Sequence, residues 1–291
     1  MANRMDRKAT RIVILGAGRL GGALHRALTR AGFSSALASR PKTPLAVGST
    51  RELLEKAAMV FLCVPDAQIG AAAAQYADAF HPGQLVAHCA GALTLSPLEP
   101  AAQRGVDIGS LHPLCAIASP ETSFLGIHAA VAGSDAVRQK LGEVAKAAGM
   151  IPFDLKDADR ARYHAAAALA SNGLMALASF AAGLFESCGM DRKRSLSAML
   201  PLMRSAVVAM DQKGLPGALT GPVARGDSEV VLGHLKALHR PGDGEVRQLY
   251  AELSMRLVAL SDQLGAASKE SLREAADALS GEMSTSKKVP S

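Results

Sequence analysis

Short apolar runs alternate with helical patterns over the first half of the chain. "RIVILGAGRLGGALHRAL" has the pattern of a buried strand, a glycine turn and a helix, and six later runs also have the pattern of strands. Those six are "SSALASRPK" and residues 59–69, 84–93, 106–114, 127–133 and 150–155. Helical runs such as "TRELLEKAA" and "DAVRQKLGEVAKAAG" separate some of them. The pattern predicts an α/β domain, residues 1–155, with a doubly wound parallel sheet.

After Leu155 the pattern changes to long helical runs without strands, which predicts an all-helical domain over residues 156–291. A segment rich in Gly and Pro, 213–230, interrupts it as an ordered loop until a helix begins near Ser228. Residues 165–185 carry no charge and are long enough to cross a bilayer. Alanine dominates them, polar residues interrupt them and no aromatic belt flanks them, so we expect a buried core helix and no membrane span.

The amino-acid composition argues against several functional classes of protein. The chain is 49% hydrophobic with a net charge of +6, but its basic residues are scattered and not interleaved with aromatics. This argues against nucleic-acid binding and suits an anionic cofactor or a small acid substrate. The four cysteines are far apart in sequence without a CxxC, which predicts buried free thiols and neither a disulfide framework nor a metal site. The N-terminus has no apolar region typical of a signal peptide, so we expect a cytoplasmic protein.

The glycines after the first strand have the spacing G-x-G-x-x-G. Gly16 permits the tight turn, Gly18 lets a pyrophosphate approach the backbone, and Gly21 lets helix and strand pack closely. The helix N-terminus supplies free N–H groups for the phosphates. This predicts dinucleotide binding by residues Gly16, Ala17, Gly18, Arg19, Leu20 and Gly21.

The residues at the end of the second strand indicate which dinucleotide the protein binds. Enzymes that prefer NAD usually carry an acidic residue there for the ribose hydroxyls, whereas this chain has Ser39, Arg40 and Lys42. A hydroxyl and two cations would hold a 2′-phosphate, which predicts NADP(H). Ordinary solvated loop residues are the alternative. The ends of later strands should face the same crevice and contact the cofactor through Val64, Pro65, Ala90 and Gly91.

The segment "YHAAAALASN" (163–172) places two polar side chains on an apolar helix. With i, i+4 spacing, His164, Ala168 and Asn172 should lie on one face. A buried asparagine without hydrogen-bond partners costs about 1–3 kcal/mol, so either a neighbouring backbone or a ligand should satisfy Asn172. His112, at a strand end that faces the crevice, is a further candidate for proton transfer.

Six motifs together resemble a bacterial family across roughly residues 10 to 270: "GAGRLG", "VPD", "HCAGAL", "SLHPL", "YHAAAALASN" and "ALTGPVARGD". This family joins a Rossmann-like domain to a C-terminal helical domain of unknown function. It belongs to the superfamily of 6-phosphogluconate dehydrogenase and is similar to pyrroline-5-carboxylate reductase, ketopantoate reductase and prephenate dehydrogenase. The resemblance implies NAD(P)-linked hydride transfer on a small acid and a homodimer built through the helical domain.

The resemblance also implies roles for single residues. "SLHPL" is similar to the prephenate dehydrogenase segment whose histidine engages the substrate hydroxyl, which makes His112 the candidate acid/base, with His164 assisting. Asn172 matches an asparagine between substrate and nicotinamide, and four residues before it Ala168 replaces the superfamily's catalytic lysine. "LTGPVARGDSEVV" resembles the loop that holds the substrate carboxylate in pyrroline-5-carboxylate reductase. By that likeness the substrate-binding residues are Thr220, Gly221, Arg225 and Asp227, although Arg225 and Asp227 could instead pair with each other.

Three functions remain compatible with the sequence. The first is an NADP(H)-dependent oxidoreductase that acts on a small keto acid, imine or hydroxy acid. The second is a non-catalytic NADP(H)-binding sensor, which Ala168 favours. The third is a hydride relay to a deazaflavin cofactor.

Overall fold

The structure, a computed structural model, describes residues 5–39 and 44–285. The chain divides into two compact units, Met1–Gly173 and Leu174–Ser291. The first unit contains every strand of the sheet and the first turns of the long alanine-rich helix. The sequence-derived domain limit at residue 155 coincides with the end of the last strand at Asp154, and as a domain boundary it stays a prediction.

Within the described residues, seven strands form one sheet in the order β2-β1-β3-β4-β5-β6-β7. The strands are β1 (Arg11–Leu15), β2 (Ser34–Ala38), β3 (Met59–Leu62), β4 (Leu85–His88), β5 (Asp107–Pro113), β6 (His128–Gly133) and β7 (Ile151–Asp154). Neighbouring strands are parallel except β5 and β6. The predicted doubly wound sheet is therefore confirmed, with one antiparallel pair as an exception.

The exception has a local cause. Two parallel neighbours need a crossover connection, which is usually a helix. Residues 114–127, between β5 and β6, contain no helix, so β6 returns beside β5 in the opposite direction. The sheet order reverses between β1 and β3, and ligands of doubly wound sheets bind at such a point, beyond the carboxyl ends of the strands.

Both faces of the sheet are covered, which is why its strands are continuously apolar. Successive side chains of a strand point to opposite faces. Accordingly, Ile12 and Ile14 pack into one apolar cluster with Leu24 and Leu28 of the first helix. Val13 and Leu15 pack into a second cluster on the other face. The end of β1 is thereby held rigidly beneath the glycine turn.

The helices of both units follow the predicted pattern, and the helical C-terminal region is confirmed. The first unit contains α1 (Arg19–Arg30), α2 (Pro44–Glu55), α3 (Ile69–Gln75), α4 (Glu99–Ala102), α5 (Asp135–Ala147) and α6 (Arg160–Ala168). The second contains α7 (Leu174–Ser187), α8 (Arg192–Lys213), α9 (Pro222–Arg225), α10 (Ser228–Ala237), α11 (Gly244–Leu264) and α12 (Lys269–Thr285). Val223, Val231, Leu235, Ala251 and Leu279 form a buried apolar cluster in the second unit.

The prediction of a buried core helix over residues 165–185 is wrong for the single chain. The helical run Asp157–Ser187 is, among the described residues, the one helix long and apolar enough to cross a membrane, and only 6% of its most apolar window is buried. Leu169 is 76% exposed and Met175 is 69% exposed. Apolar composition indicates that a surface avoids water, but it does not identify what covers that surface.

Candidate active site

The turn from β1 to α1 has the steric features that a dinucleotide loop requires. Gly16 has a φ of +122°, and a side chain on it would overlap the carbonyl of Cys63. A side chain on Gly21 would overlap the carbonyl of Gly16, so α1 packs tightly against the turn. A side chain on Gly18, by contrast, would meet no atom within 4 Å. The exposed backbone at Gly18 and the N-terminus of α1 therefore leave room for a pyrophosphate, which these residues fit.

The other predicted cofactor residues lie along the same edge of the sheet. Ala17 and Arg19 are exposed beside the turn, Leu20 is half-buried, and Ser39 is exposed directly after β2. Arg40 and Lys42 lie outside the described residues. Val64 and Pro65 follow β3, and Val64 lines a cavity of about 70 Å³ together with Leu15 and side chains of α3. Ala90 and Gly91 follow β4 and are buried.

His88, at the end of β4, is a structural residue. It is fully buried; its Nδ1 accepts from the Ala90 N–H at 3.2 Å, and its Nε2 donates to the Thr94 carbonyl at 3.0 Å. Burial is the main cause that lowers its pKa to about 4, so the ring is neutral at pH 7. These two hydrogen bonds fix the loop 89–94 that follows the strand.

That loop brings Gly91 against both candidate catalytic rings. A Cβ atom on residue 91 would lie 2.8 Å from Cδ2 of His164 and 2.9 Å from Nε2 of His112. The centroids of the two imidazoles are 6.4 Å apart. The absence of a side chain at Gly91 thus lets β5 and α6 bring their histidines together.

His112 has a partner that the sequence did not reveal. Its Nδ1 lies 2.7 Å from the hydroxyl oxygen of Tyr163, close enough for a hydrogen bond. Burial, followed by the charges of His164 and Arg160, lowers the pKa of His112 to about 4. Burial raises the pKa of Tyr163 to about 12. At pH 7 the pair therefore consists of a neutral imidazole and a neutral phenol.

Arg160 is a buried side chain whose charge acts on both members of this pair. Its side chain is 2% exposed and its Nε donates to Asp157 at 2.6 Å. Another guanidinium nitrogen donates to the Ser110 hydroxyl at 2.5 Å. Tyr163 and His164 follow Arg160 by three and four residues on α6, so both lie on the same side of that helix as Arg160.

A cavity of about 550 Å³ opens next to His112 and belongs to the first unit. Its lining is His112, Leu114, Cys115, Ala116, Tyr163, His164, Ala166, Ala167, Ala168, Ala170, Ser171 and Asn172. The structure therefore brings His112, His164, Ala168 and Asn172 together, as the sequence predicts. None of these described lining residues carries a permanent charge, and five of the twelve are alanine.

The helix is less regular at Asn172 than the i, i+4 spacing implies. α6 ends at Ala168, and residues Leu169–Gly173 form a π-helical turn. Such a turn shifts the helical register and often occurs at functional sites. Asn172 is exposed in the chain, so its predicted burial is wrong, although it does line the cavity.

The predicted carboxylate loop lies in the second unit. Thr220 and Arg225 are exposed, while Gly221 and Asp227 are partly buried. Arg225 donates to Asp227, with its terminal nitrogen 2.8 Å from the carboxylate. Mutual pairing, the alternative considered from the sequence, is therefore observed for these two residues.

Sequence reasoning missed Tyr163, Arg160 and Ser110. The signal for the first two was helical spacing, because Tyr163 and His164 follow Arg160 by three and four residues. The partner of each became apparent only from the fold. Among the residues that the structure describes, no group of three His, Cys, Asp or Glu side chains is placed to hold a metal ion. The cavity can instead offer neutral hydrogen-bond donors to a polar atom of a small, mostly apolar molecule.

Comparisons with known proteins agree with this architecture. A Rossmann-like domain model matches residues 2–113, and a model of the domain of unknown function DUF2520 matches residues 127–257. No curated protein sequence matches the chain.

Solved structures share the fold at low sequence identity. A candidate NADP oxidoreductase from Bacteroides fragilis is 23% identical with a TM-score of 0.63, over 85% of this chain and 97% of that one. A protein from Thermotoga maritima is 22% identical with a TM-score of 0.67, over 87% and 98%. Pyrroline carboxylate reductase from Plasmodium falciparum, with NADP bound, is 12% identical with a TM-score of 0.56, over 94% and 97%. The chain is a Rossmann-like protein with a C-terminal DUF2520 domain.

Proposed function

We propose that the protein is an NADP(H)-dependent oxidoreductase that acts on a small keto acid, imine or hydroxy acid. The observation that carries this proposal is the His112–Tyr163 pair in a cavity at the carboxyl edge of the sheet. The glycine turn at the same edge fits a dinucleotide pyrophosphate. The NADP bound to the structurally similar P. falciparum enzyme supports the choice of cofactor.

A dinucleotide held at the glycine turn, residues 16–21, would supply or accept hydride at the substrate carbon through its nicotinamide. The chain's own residues handle the proton. In reduction, Nε2–H of neutral His112 donates to the substrate oxygen, and the Tyr163 hydroxyl donates to Nδ1 at 2.7 Å. As negative charge develops on the substrate oxygen, the Nε2 proton moves to it and the Tyr163 proton moves to Nδ1. The imidazole ends neutral and Tyr163 ends as a phenolate.

This relay explains how the site works without the lysine that Ala168 replaces. A neutral imidazole alone is a very weak acid, but Tyr163, with a pKa of about 12, is a stronger acid than an ordinary alcohol. The nearby Arg160 lowers the pKa of Tyr163, against the larger effect of burial, and so stabilises the phenolate. Asn172 and His164 line the same cavity and are placed to orient the substrate.

Among the three substrate types, the electrostatics favour a carbonyl or its alcohol. Reduction of a carbonyl develops negative charge on oxygen, which the hydrogen-bond donors of the His112–Tyr163 pair can stabilise. Reduction of an imine proceeds through a cationic protonated nitrogen, and no acidic residue is among the described residues that line the cavity. A carboxylate-binding role for Thr220, Gly221, Arg225 and Asp227 of the second unit rests on the sequence resemblance alone and stays a prediction.

The experiment that tests the function is a panel of small keto acids, ketones and cyclic imines with NADPH, followed by the loss of nicotinamide absorbance. We expect turnover of at least one keto acid. Tight NADPH binding without turnover of any compound would favour the non-catalytic sensor, for which Ala168 is the specific observation.

We expect the protein to distinguish NADPH from NADH by the 2′-phosphate of the cofactor. Because Ser39-Arg40 replaces an acidic residue, we expect NADPH to bind at least about tenfold tighter than NADH, about 1.4 kcal/mol. Arg40→Asp should erase this preference by introducing like-charge repulsion. Arg30→Asp, at the far end of α1, is the matched control and should retain it. Equal dissociation constants for the two cofactors in the unmodified protein, measured by fluorescence titration, would contradict the prediction.

The exposed helical surface should be covered by a second copy of the chain. Met175 on α7 and Leu202 on α8 are 69% and 65% exposed. In an isologous dimer the same surface of each copy packs against the other, so both copies of these apolar side chains would be buried. We expect light scattering to give a homodimer at micromolar concentration, and Leu202→Glu to give a monomer. Leu125→Glu, at an 81% exposed leucine of the first unit, should leave the dimer intact. A monodisperse monomer, or a chain soluble only with lipid or detergent, would contradict the prediction.

A further inference from the structure

Two cysteines meet at the floor of the glycine turn. Cys63 directly follows β3 and Cys89 directly follows β4, and the preceding residues Leu62 and His88 are paired in the sheet. The two sulfur atoms are 3.6 Å apart, with the Cys63 thiol donating to Cys89. Cys63 is half-buried and Cys89 is buried.

This placement is compatible with a disulfide. Neighbouring strands lie about 4.8 Å apart, which is within the Cα spacing of about 4.4–6.8 Å that disulfides span. The sulfur atoms must approach from 3.6 Å to about 2 Å. We propose that Cys63 and Cys89 are a reversible oxidation site, which a small peroxide converts to a disulfide next to the glycine turn.

The chemistry balances with hydrogen peroxide as the oxidant. Cys63, the more exposed thiol, attacks one peroxide oxygen; the O–O bond breaks, and sulfenic acid forms on Cys63 as the first water leaves with the thiol proton. The Cys89 sulfur then attacks Cys63 Sγ, the S–O bond breaks, and the second water leaves with the Cys89 proton. Two thiols lose two electrons in total and one peroxide is reduced to two waters.

The two cysteines have different roles in these steps. The hydrogen bond from Cys63 and the burial of the side chain raise the pKa of Cys89. Cys89 therefore stays a thiol, and only the half-buried Cys63 is open to a peroxide from solvent. Cys89 acts second, as the resolving thiol that is already in contact with Cys63.

The disulfide would be coupled to the glycine turn. The Cys63 N–H donates to the Leu15 carbonyl at 2.8 Å, and the Cys63 carbonyl lies where a side chain on Gly16 would be. A displacement of Cys63 toward Cys89 therefore shifts the support of Gly16. This part rests on the proposed function: if a bound dinucleotide opposes the displacement, oxidation must weaken dinucleotide binding by the same factor.

The test uses the reduced full-length protein, treated with hydrogen peroxide with and without NADPH. We expect a mass lower by two hydrogen atoms, a cross-linked pair of peptides containing Cys63 and Cys89, and full reversal by dithiothreitol. NADPH should slow the reaction, and the oxidised protein should bind NADPH about tenfold more weakly. Cys89→Ala should stop at a sulfenic acid on Cys63 that dimedone traps, and Cys63→Ala should form no disulfide. Cys188→Ser, at the exposed cysteine of the second unit, should behave as the unmodified protein.

The outcomes separate the two parts of the inference. Free thiols at 63 and 89 after Cys188 has been oxidised, or overoxidation of Cys63 without a disulfide, would overturn the oxidation site. A disulfide that forms at the same rate with saturating NADPH, and leaves its affinity unchanged, would overturn the coupling. A disulfide in a protein that binds no dinucleotide would support the oxidation site and contradict the proposed function.

Discussion

His112→Ala should lower turnover of the best carbonyl substrate by about 10²–10⁴, the usual effect of losing a general acid. The dissociation constant for NADPH should change by less than about threefold, under 1 kcal/mol, because the glycine turn is formed by other residues. Stopped-flow reduction rates and NADPH titration measure the two effects. Tyr163→Phe should lower turnover by about 10², at the lower end of that range, because the imidazole remains while its proton source is lost.

The pH profile tests the protonation state of the same pair. The pKa of His112 is lowered to about 4, so the neutral ring required by the relay is present throughout the neutral range. In the oxidation direction, in which the ring accepts the substrate proton, the share of the rate that depends on His112 should stay constant at neutral pH and fall only as the pH approaches about 4. An ordinary imidazole would change its protonation near pH 6–7; burial is the main cause that lowers the pKa of His112 below this range.

Two controls make the result specific to the pair. His239→Ala, at an exposed histidine of the second unit, should retain full turnover. Undiminished turnover of His112→Ala would assign proton transfer to His164 or to bound water. Loss of an ionisation near pH 6–7 in His112→Ala would contradict the lowered pKa, and full activity of Tyr163→Phe would exclude the relay.

The fold was predictable because buried strands and helices have recognisable patterns of apolar residues in the sequence. Continuous apolar runs between breakers indicate strands covered on both faces, and all seven predicted runs contain strands of the sheet. Strand direction leaves a weaker signal. The antiparallel pairing of β5 with β6 follows from the lack of a helix between Pro113 and His128, a feature that the sequence did contain.

The site was predictable only in part. The sequence placed His112 at a strand end and His164 and Asn172 on one helix, and all three line the same cavity. These positions were predictable because strands and helices have regular geometry. The Tyr163–His112 hydrogen bond and the burial of Arg160 depend on how α6 packs against β5, which no local pattern encodes. The exposure of the alanine-rich helix was missed for a related reason: hydrophobicity does not identify the surface that covers it.

The protein should lose stability in acid through the buried His88. Its pKa is about 4 in the folded protein and about 6.5 in an unfolded chain. Because the folded value is the lower one, the unfolded chain binds more protons between these two values. The contribution of His88 to stability is therefore fully present above about pH 6.5 and is lost as the pH falls through this window, up to about 3 kcal/mol in all.

Between pH 7 and pH 5 the free energy of unfolding of the first unit should fall by about 2 kcal/mol through His88, and His112 should add a similar loss for the same reason. Amide hydrogen exchange of β4 measures this free energy at each pH. His88→Gln should remove its share of the pH dependence, because glutamine can donate to the Thr94 carbonyl but does not titrate. His239→Gln should leave the dependence unchanged. Equal unfolding free energies at pH 7 and pH 5, or a His88 ring proton that titrates near pH 6.5 by NMR, would contradict the prediction.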